Sequence, residues 1–120
     1  MSITTDLANT CLFIKALSDL TNDPTMPSQQ QTLLLSLYVH GTTSQGKLEE
    51  LTGVKASSNS RNIAKLGRGE KAYAEDGPML LENYEDLQNR RVKMVRLTPK
   101  GQALLDECWK LSFGRSERNN

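Results

Sequence analysis

A mainly α-helical fold with a small β-hairpin (class α+β) is expected from three features of this sequence. Apolar residues recur at helical spacing in several separate stretches. One late stretch alternates instead, with Val92, Met94 and Arg96 on one side and Lys93, Val95 and Leu97 on the other. Finally, 120 residues with 37% hydrophobic and 24% charged side chains have the composition of one globular domain. A chain of this length buries enough surface to fold without a metal or disulfide staple.

Ile3 to Leu20 reads as the first helix. Ile3, Leu7, Cys11, Ile14 and Leu17 form a stripe that Leu12, Phe13 and Leu20 broaden. Asn22-Asp23-Pro24 stops it. Pro27-Ser28 opens the second helix, where Ser28 as N-cap and Gln31 three residues on fit a capping box. Leu33, Leu34, Leu35, Leu37, Tyr38 and Val39 cover most of its circumference, which predicts a central, buried helix. Gly41 fits its end. A short third helix is capped by Thr43 or Ser44, faces Leu48 and Leu51 inward and ends at Gly53. A fourth begins around Ala56–Ser58 and runs through Ile63 to Leu66. The segment from Gly67 to Gly77 is irregular in composition, with room for another helical turn or two over Glu70–Asp76. Met79–Leu87 pairs with Val92–Leu97 around the polar tip Gln88-Asn89-Arg90-Arg91. Thr98 as N-cap and Pro99 at the first helical position start the last helix. Its apolar side is Ala103, Leu104, Cys108, Leu111 and Trp109, and Gly114 to Asn120 should fray.

Two short helices joined by a tight Gly turn, followed by a basic-tipped hairpin, make a winged helix-turn-helix. Its organisation is one domain over residues 1–120: an N-terminal helix at 1–21, a helical core at 28–66 with the helix-turn-helix at 44–66, a wing at 78–98 and a C-terminal helix at 99–113. A helix that reads DNA presents small and long polar groups to base edges: Arg grips guanine, Asn grips adenine, and Ser reaches phosphate or base. Ser57, Ser58, Asn59, Ser60, Arg61, Asn62 and Lys65 are such a set, with no acid among them. The first turn of that helix also offers backbone N–H groups to a phosphate. In the hairpin, Asn89, Arg90, Arg91 and Lys93 sit at or beside the chain reversal, and an arginine there can enter a narrow minor groove.

The net charge of +1 conceals a segregated pattern. Residues 1–54 carry 2 basic and 5 acidic groups, residues 55–100 carry 10 and 6, and residues 101–120 carry 3 of each. Arg90, Arg91, Lys93, Arg96 and Lys100 follow one another with no intervening acid. A local anionic partner fits this pattern. On charge alone a solvated face is the better account.

Catalysis finds little footing. His40 is the single histidine, at the end of a helix where a structural or charge–dipole role fits better. Gly67-Arg68-Gly69 lacks the strand before it and the Gly-Lys-Ser/Thr after it that a phosphate loop needs. The pairs Glu49-Glu50 and Glu85-Asp86 are adjacent in sequence and point apart. The chain therefore reads as a non-enzyme that needs no cofactor or metal. Cys11 and Cys108 form no CxxC, and both are expected as buried structural thiols. No apolar run approaches a membrane span and no signal peptide is evident, so a cytoplasmic location without membrane contact is expected.

Residues 28–105 resemble the winged-helix core of the MarR family of transcription regulators. Two stretches carry the resemblance. Leu48-Glu49-Glu50-Leu51-Thr52-Gly53-Val54 followed by Ser60-Arg61-Asn62-Ile63-Ala64-Lys65-Leu66 is similar to the family's helix-turn-helix. Asn89-Arg90-Arg91-Val92-Lys93-Met94-Val95-Arg96-Leu97-Thr98-Pro99-Lys100-Gly101 follows its wing-to-helix signature. The resemblance implies Arg90 as the minor-groove arginine, and Ser57, Ser58, Arg61, Asn62 and Lys65 on the recognition helix. Gln88 stands where the family has a bracing aspartate, Asn59 where it has an apolar residue, and the link at 66–77 is longer. The resemblance further implies a homodimer formed by the N- and C-terminal helices. Double-stranded DNA and a second copy of the chain are then the partners of a sequence-specific transcription regulator. The alternative is a winged-helix module that binds a protein of the transcription or replication machinery through the acidic stretch Glu75–Asp86.

Overall fold

The computed structural model describes residues 2–69 and 77–114, and the turn expected over Glu70–Asp76 and the fraying expected beyond Gly114 lie outside them. The described elements run in the order α1 (Ile3–Thr21), α2 (Ser28–His40), β1 (Thr43–Ser44), α3 (Gln45–Thr52), α4 (Ala56–Leu66), β2 (Leu81–Glu85), β3 (Lys93–Leu97) and α5 (Pro99–Leu111). This is a winged-helix arrangement of class α+β. The chain divides into two compact units, one of residues Pro27–Gln102 and one joining the chain up to Met26 with the chain from Ala103 onward.

In the Pro27–Gln102 unit, α2 packs on α3, α4 and β3, and α3 packs on α4. Leu33, Leu34, Leu37, Leu48, Ile63, Leu66, Leu80, Leu81 and Val95 are buried. Each such aliphatic side chain contributes roughly 1.5–3 kcal/mol when fully removed from water. Only one face of α2 is buried. Leu35 and Tyr38 are half-buried and Val39 is 73% exposed, so the expectation of burial around most of the helix is corrected. The start of α2 also differs. Pro27, extended at φ −59° and ψ 144°, occupies the N-cap, and no side chain caps the helix. The N–H groups of Gln30 and Gln31 both donate to the Pro27 carbonyl, so Ser28 is already inside the first turn and closes no capping box.

The sheet has three antiparallel strands in the order β1-β3-β2. Leu81 pairs with Leu97 and Glu85 with Lys93, which sets the hairpin register. The strands are shorter than the sequence pattern indicates because Asp86–Val92 forms the wing loop, closed by the Asp86 N–H donating to the Val92 carbonyl at 2.9 Å. The strand β1 was not expected. Thr43 and Ser44 pair with Val95 and Met94, and two residues carry no alternation for a sequence to show.

In the other unit, Ser2 caps α1 by accepting the Thr5 N–H at 3.2 Å, and Asn22 closes it in the left-handed region at φ 55°. The buried face of α1 is Asn9, Phe13, Ala16 and Leu17. Ile3, Leu7, Leu12, Ile14 and Leu20 are exposed. Cys11 lies with Ile3, Leu7 and Ile14 and is exposed, so its expected burial is corrected; Cys108 is buried as expected. No helix among the described residues is long and apolar enough to cross a membrane.

Candidate nucleic-acid interface

The helix-turn-helix is set by local caps. Ser44 Oγ accepts the Lys47 N–H at 3.1 Å, which satisfies one of the donors a helix start leaves open. Gly53 ends α3 in the left-handed region at φ 70°, a conformation glycine adopts without strain. The second helix of the pair, α4, then begins after Lys55 with no side-chain cap and no acid in its first turn. Its opening N–H groups therefore stay available to an anion.

The face of α4 divides the candidate residues. Ser57, Ser60, Arg61 and Lys65 are exposed and Ser58 is half-buried. Asn59 and Asn62 are not on this face: they are 2% and 7% exposed. Asn59 Nδ2 donates to the Val54 carbonyl at 3.2 Å and to Thr52 Oγ1 at 3.3 Å, tying α4 to the turn before it. Asn62 Nδ2 donates to Gln29 Oε1 at 3.1 Å, tying α4 to the start of α2. Their expected display to DNA is corrected, because they share the inward stripe of Ile63 and Leu66. The signal was available in the spacing: 59, 62, 63 and 66 repeat as i, i+3, i+4 and i+7. Amide chemistry at these two positions suggests a base contact, while their helical phase puts them inward.

In the wing, Asn89, Arg90, Arg91 and Lys93 are all exposed. Asp86 Oδ1 accepts the Gln88 N–H at 3.0 Å, and Asn89 Oδ1 accepts the Arg91 N–H at 3.3 Å. These two side-chain turns shape the loop. Asp86 and Asn89 hold the loop backbone only, and among the described residues the Arg90 side chain forms no ion pair, so the brace that the resemblance assigns to the position of Gln88 is not made. Among the described residues, Arg61, Arg90, Arg91 and Lys93 form no ion pair. Arg96 does: its Nε donates to Glu82 Oε1 at 2.7 Å, and its guanidinium stands 4.5 Å from the centre of the Tyr84 ring. The hydrogen bond to Glu82 raises the Arg96 pKa. Of the basic run, Arg96 is therefore committed to the sheet, while Arg90, Arg91 and Lys93 are open to an outside anion.

No family model and no curated protein matches the sequence. Solved structures do. RV1404 from Mycobacterium tuberculosis is 19% identical, with a TM-score of 0.73 over 97% of this chain and 72% of that one. A mutant MarR from E. coli, complexed with operator DNA, is 18% identical, with a TM-score of 0.63 over 90% of this chain and 68% of that one. BpsR from Bordetella bronchiseptica, whose DNA binding is regulated by 6-hydroxynicotinic acid, is 20% identical, with a TM-score of 0.58 over 91% of this chain and 78% of that one. At such identities the likeness is one of fold: the chain has a MarR-like winged-helix fold.

Proposed function

We propose that this chain is a sequence-specific, double-stranded DNA-binding regulator of transcription that acts as a homodimer. The exposed face of α4, with Ser57, Ser60, Arg61 and Lys65, enters the major groove, and an arginine of the wing enters the minor groove. The observation that carries this reading is the acid-free polar face of α4 beside a wing whose Arg90, Arg91 and Lys93 form no ion pair among the described residues. Unpaired cations on a shaped surface are the footprint of a polyanion. MarR bound to operator DNA, on the same fold, supports the same reading.

Dimerisation is supported by the face of α1 that carries Ile3, Leu7 and Ile14, which are 77%, 61% and 43% exposed. Trp109 and Leu111 at the end of α5 are exposed as well. Contiguous exposed apolar side chains mark association surfaces. A two-fold dimer would present two recognition helices to half-sites about one helical turn apart.

The test is fluorescence anisotropy of a labelled random duplex titrated with protein at several salt concentrations. Binding that weakens steeply with salt, with a log–log slope equivalent to about four or more phosphate contacts, supports the proposal. Absence of binding at low salt overturns it. In that event the protein-module alternative is tested by partner capture with wild type and with Arg61→Ala/Arg90→Ala, which the module reading expects to behave alike.

A further inference from the structure

We propose that Leu87 is an apolar wedge, which the wing inserts between base pairs from the minor groove so that the chain favours duplex whose steps unstack easily. This role rests on DNA binding by the wing and adds a second, uncharged contact to the arginine already assigned to that groove.

Leu87 is 93% exposed, more than any other large hydrophobic side chain among the described residues. One exposed leucine is ordinary on a protein surface, so its setting has to carry the argument. Asp86 Oδ1 accepts the Gln88 N–H at 3.0 Å, which makes Leu87 the central residue of a side-chain turn. The Val92 N–H donates to the Asn89 carbonyl at 2.9 Å, which puts Arg90 and Arg91 at the centre of a second turn. The Asp86 N–H, donating to the Val92 carbonyl at 2.9 Å, closes the loop at its base. The leucine is thus held clear of the core on a backbone that is already ordered, and less entropy is lost when it docks.

The company of Leu87 defines the partner. Leu87, Gln88, Asn89, Arg90 and Arg91 are all exposed and none is acidic. Asp86, the acid beside them, has one carboxylate oxygen turned back onto the loop. Arg90 and Arg91 form no ion pair among the described residues. Amides and arginines read the minor groove, and leucine is one of the side chains that wedge between its base steps. Base faces receive the leucine and phosphates receive the arginines, so one groove answers the whole tip. Leu87 and Arg90 are three residues apart, a span of at most about 11 Å. That matches roughly three base steps of about 3.4 Å each, so both side chains reach the same stretch of groove.

The two contacts ask different things of DNA. An arginine gains most in a stiff A-tract, where the groove is narrow and its potential most negative. A wedge gains most at TA steps, which kink and unstack easily. The test therefore uses two duplexes of equal length, one of alternating TA and one with every adenine on the same strand. Both contain only A·T pairs, so their minor-groove acceptors are alike and they differ in stacking.

Anisotropy is measured at several salt concentrations for wild type, Leu87→Gln and Arg90→Ala, after melts confirm that the variants fold. On the alternating duplex, Leu87→Gln is expected to bind about tenfold more weakly than wild type, at an unchanged salt slope because no cation is lost. On the A-tract duplex the two should agree within about threefold. Arg90→Ala should weaken binding to both duplexes and lower the salt slope by about one. The adenine analogue 2-aminopurine, which brightens on unstacking, should brighten in the alternating duplex with wild type and stay dark with Leu87→Gln. Equal affinity of wild type and Leu87→Gln for the alternating duplex overturns the wedge and leaves the DNA reading standing. The same holds for an equal loss on both duplexes, or for a 2-aminopurine signal that does not depend on Leu87. Absence of wild-type binding to either duplex at low salt overturns the wedge and the DNA reading together.

Discussion

Gly101 in the first turn of α5 lies against the carbonyl oxygen of Leu80, close enough that a Cβ on Gly101 would overlap that oxygen. The Thr98 N–H donates to the same Leu80 carbonyl at 3.1 Å, and Thr98 Oγ1 accepts the Gly101 N–H at 3.1 Å while its own proton goes to the Met79 carbonyl. Thr98 thus caps α5 and joins its start to the segment leading into β2. This gives the Leu-Thr-Pro-Lys-Gly run a physical reason: one residue must hydrogen-bond in both directions, and another must lack a side chain.

Gly101→Ala is therefore expected to destabilise the fold, since the opposing atom is backbone and cannot rotate away. Overpacking of this kind costs roughly 1–3 kcal/mol. Chemical denaturation followed by circular dichroism should show a lower midpoint at unchanged slope. A midpoint equal to wild type would contradict the close approach.

The two faces of α4 predict opposite phenotypes. Arg61→Ala removes an exposed cation and should leave the melting temperature within error, while weakening duplex binding by about 1–3 kcal/mol. Asn62→Ala removes a buried amide that donates to the exposed Gln29 side chain and should cost about 0.5–1.5 kcal/mol of stability. Paired melts and anisotropy titrations separate the two. Equal stability losses in both variants would mean that Arg61 is part of the packing.

What the sequence made legible follows the length of each signal. Helices α1 to α5 and the hairpin rest on periodicities several residues long, and the ends of α3 rest on Ser44 and Gly53, whose chemistry is local. The two-residue strand β1 had no period to show, and its pairing with Val95 is a long-range contact. Cys11 looked buried because an apolar stripe on α1 does not say which side of it meets the core. Structure places Phe13 and Leu17 inward and leaves Cys11, Leu7 and Ile14 outward. In the candidate site, the exposed Ser57, Arg61, Lys65 and wing cations were readable from type and position. At Asn59 and Asn62 residue chemistry and helical phase point opposite ways, and the fold follows the phase.

The two thiols should react differently. Cys108 is buried, and that burial, reinforced by the nearby Glu107 charge, pushes its pKa from 9.0 up to about 11. A thiol-alkylating reagent at neutral pH should leave Cys108 unmodified until the protein is unfolded, while Cys11 should react in the monomer and be protected where the proposed dimer covers its face of α1. The same shift makes stability depend on pH. The unfolded chain gives up the Cys108 proton near pH 9 and the folded chain only near pH 11, so this contribution is intact below pH 9 and is lost as pH rises towards 11. It amounts to at most about 2–3 kcal/mol. Cys108→Ala should flatten that part of the stability profile, and an unchanged alkaline slope would remove Cys108 as its cause.

Leu7→Glu tests the proposed dimer without touching the core. Leu7 is 61% exposed, and Ile3 and Ile14 on the same side of α1 are exposed too. A monomer has little to lose from a carboxylate at this position, so its melting behaviour should change by no more than about 0.5 kcal/mol. A dimer that buries this face would have to bury two charges, which is costly without partners. Sedimentation equilibrium should then show a dimer for the wild type and a monomer for the variant. Duplex affinity should fall with it, because a monomer holds one half-site instead of two. A wild-type chain that sediments as a monomer at micromolar concentration would sink the homodimer. If wild type and variant are both dimers, another surface makes the contact and the apolar face of α1 serves a different partner.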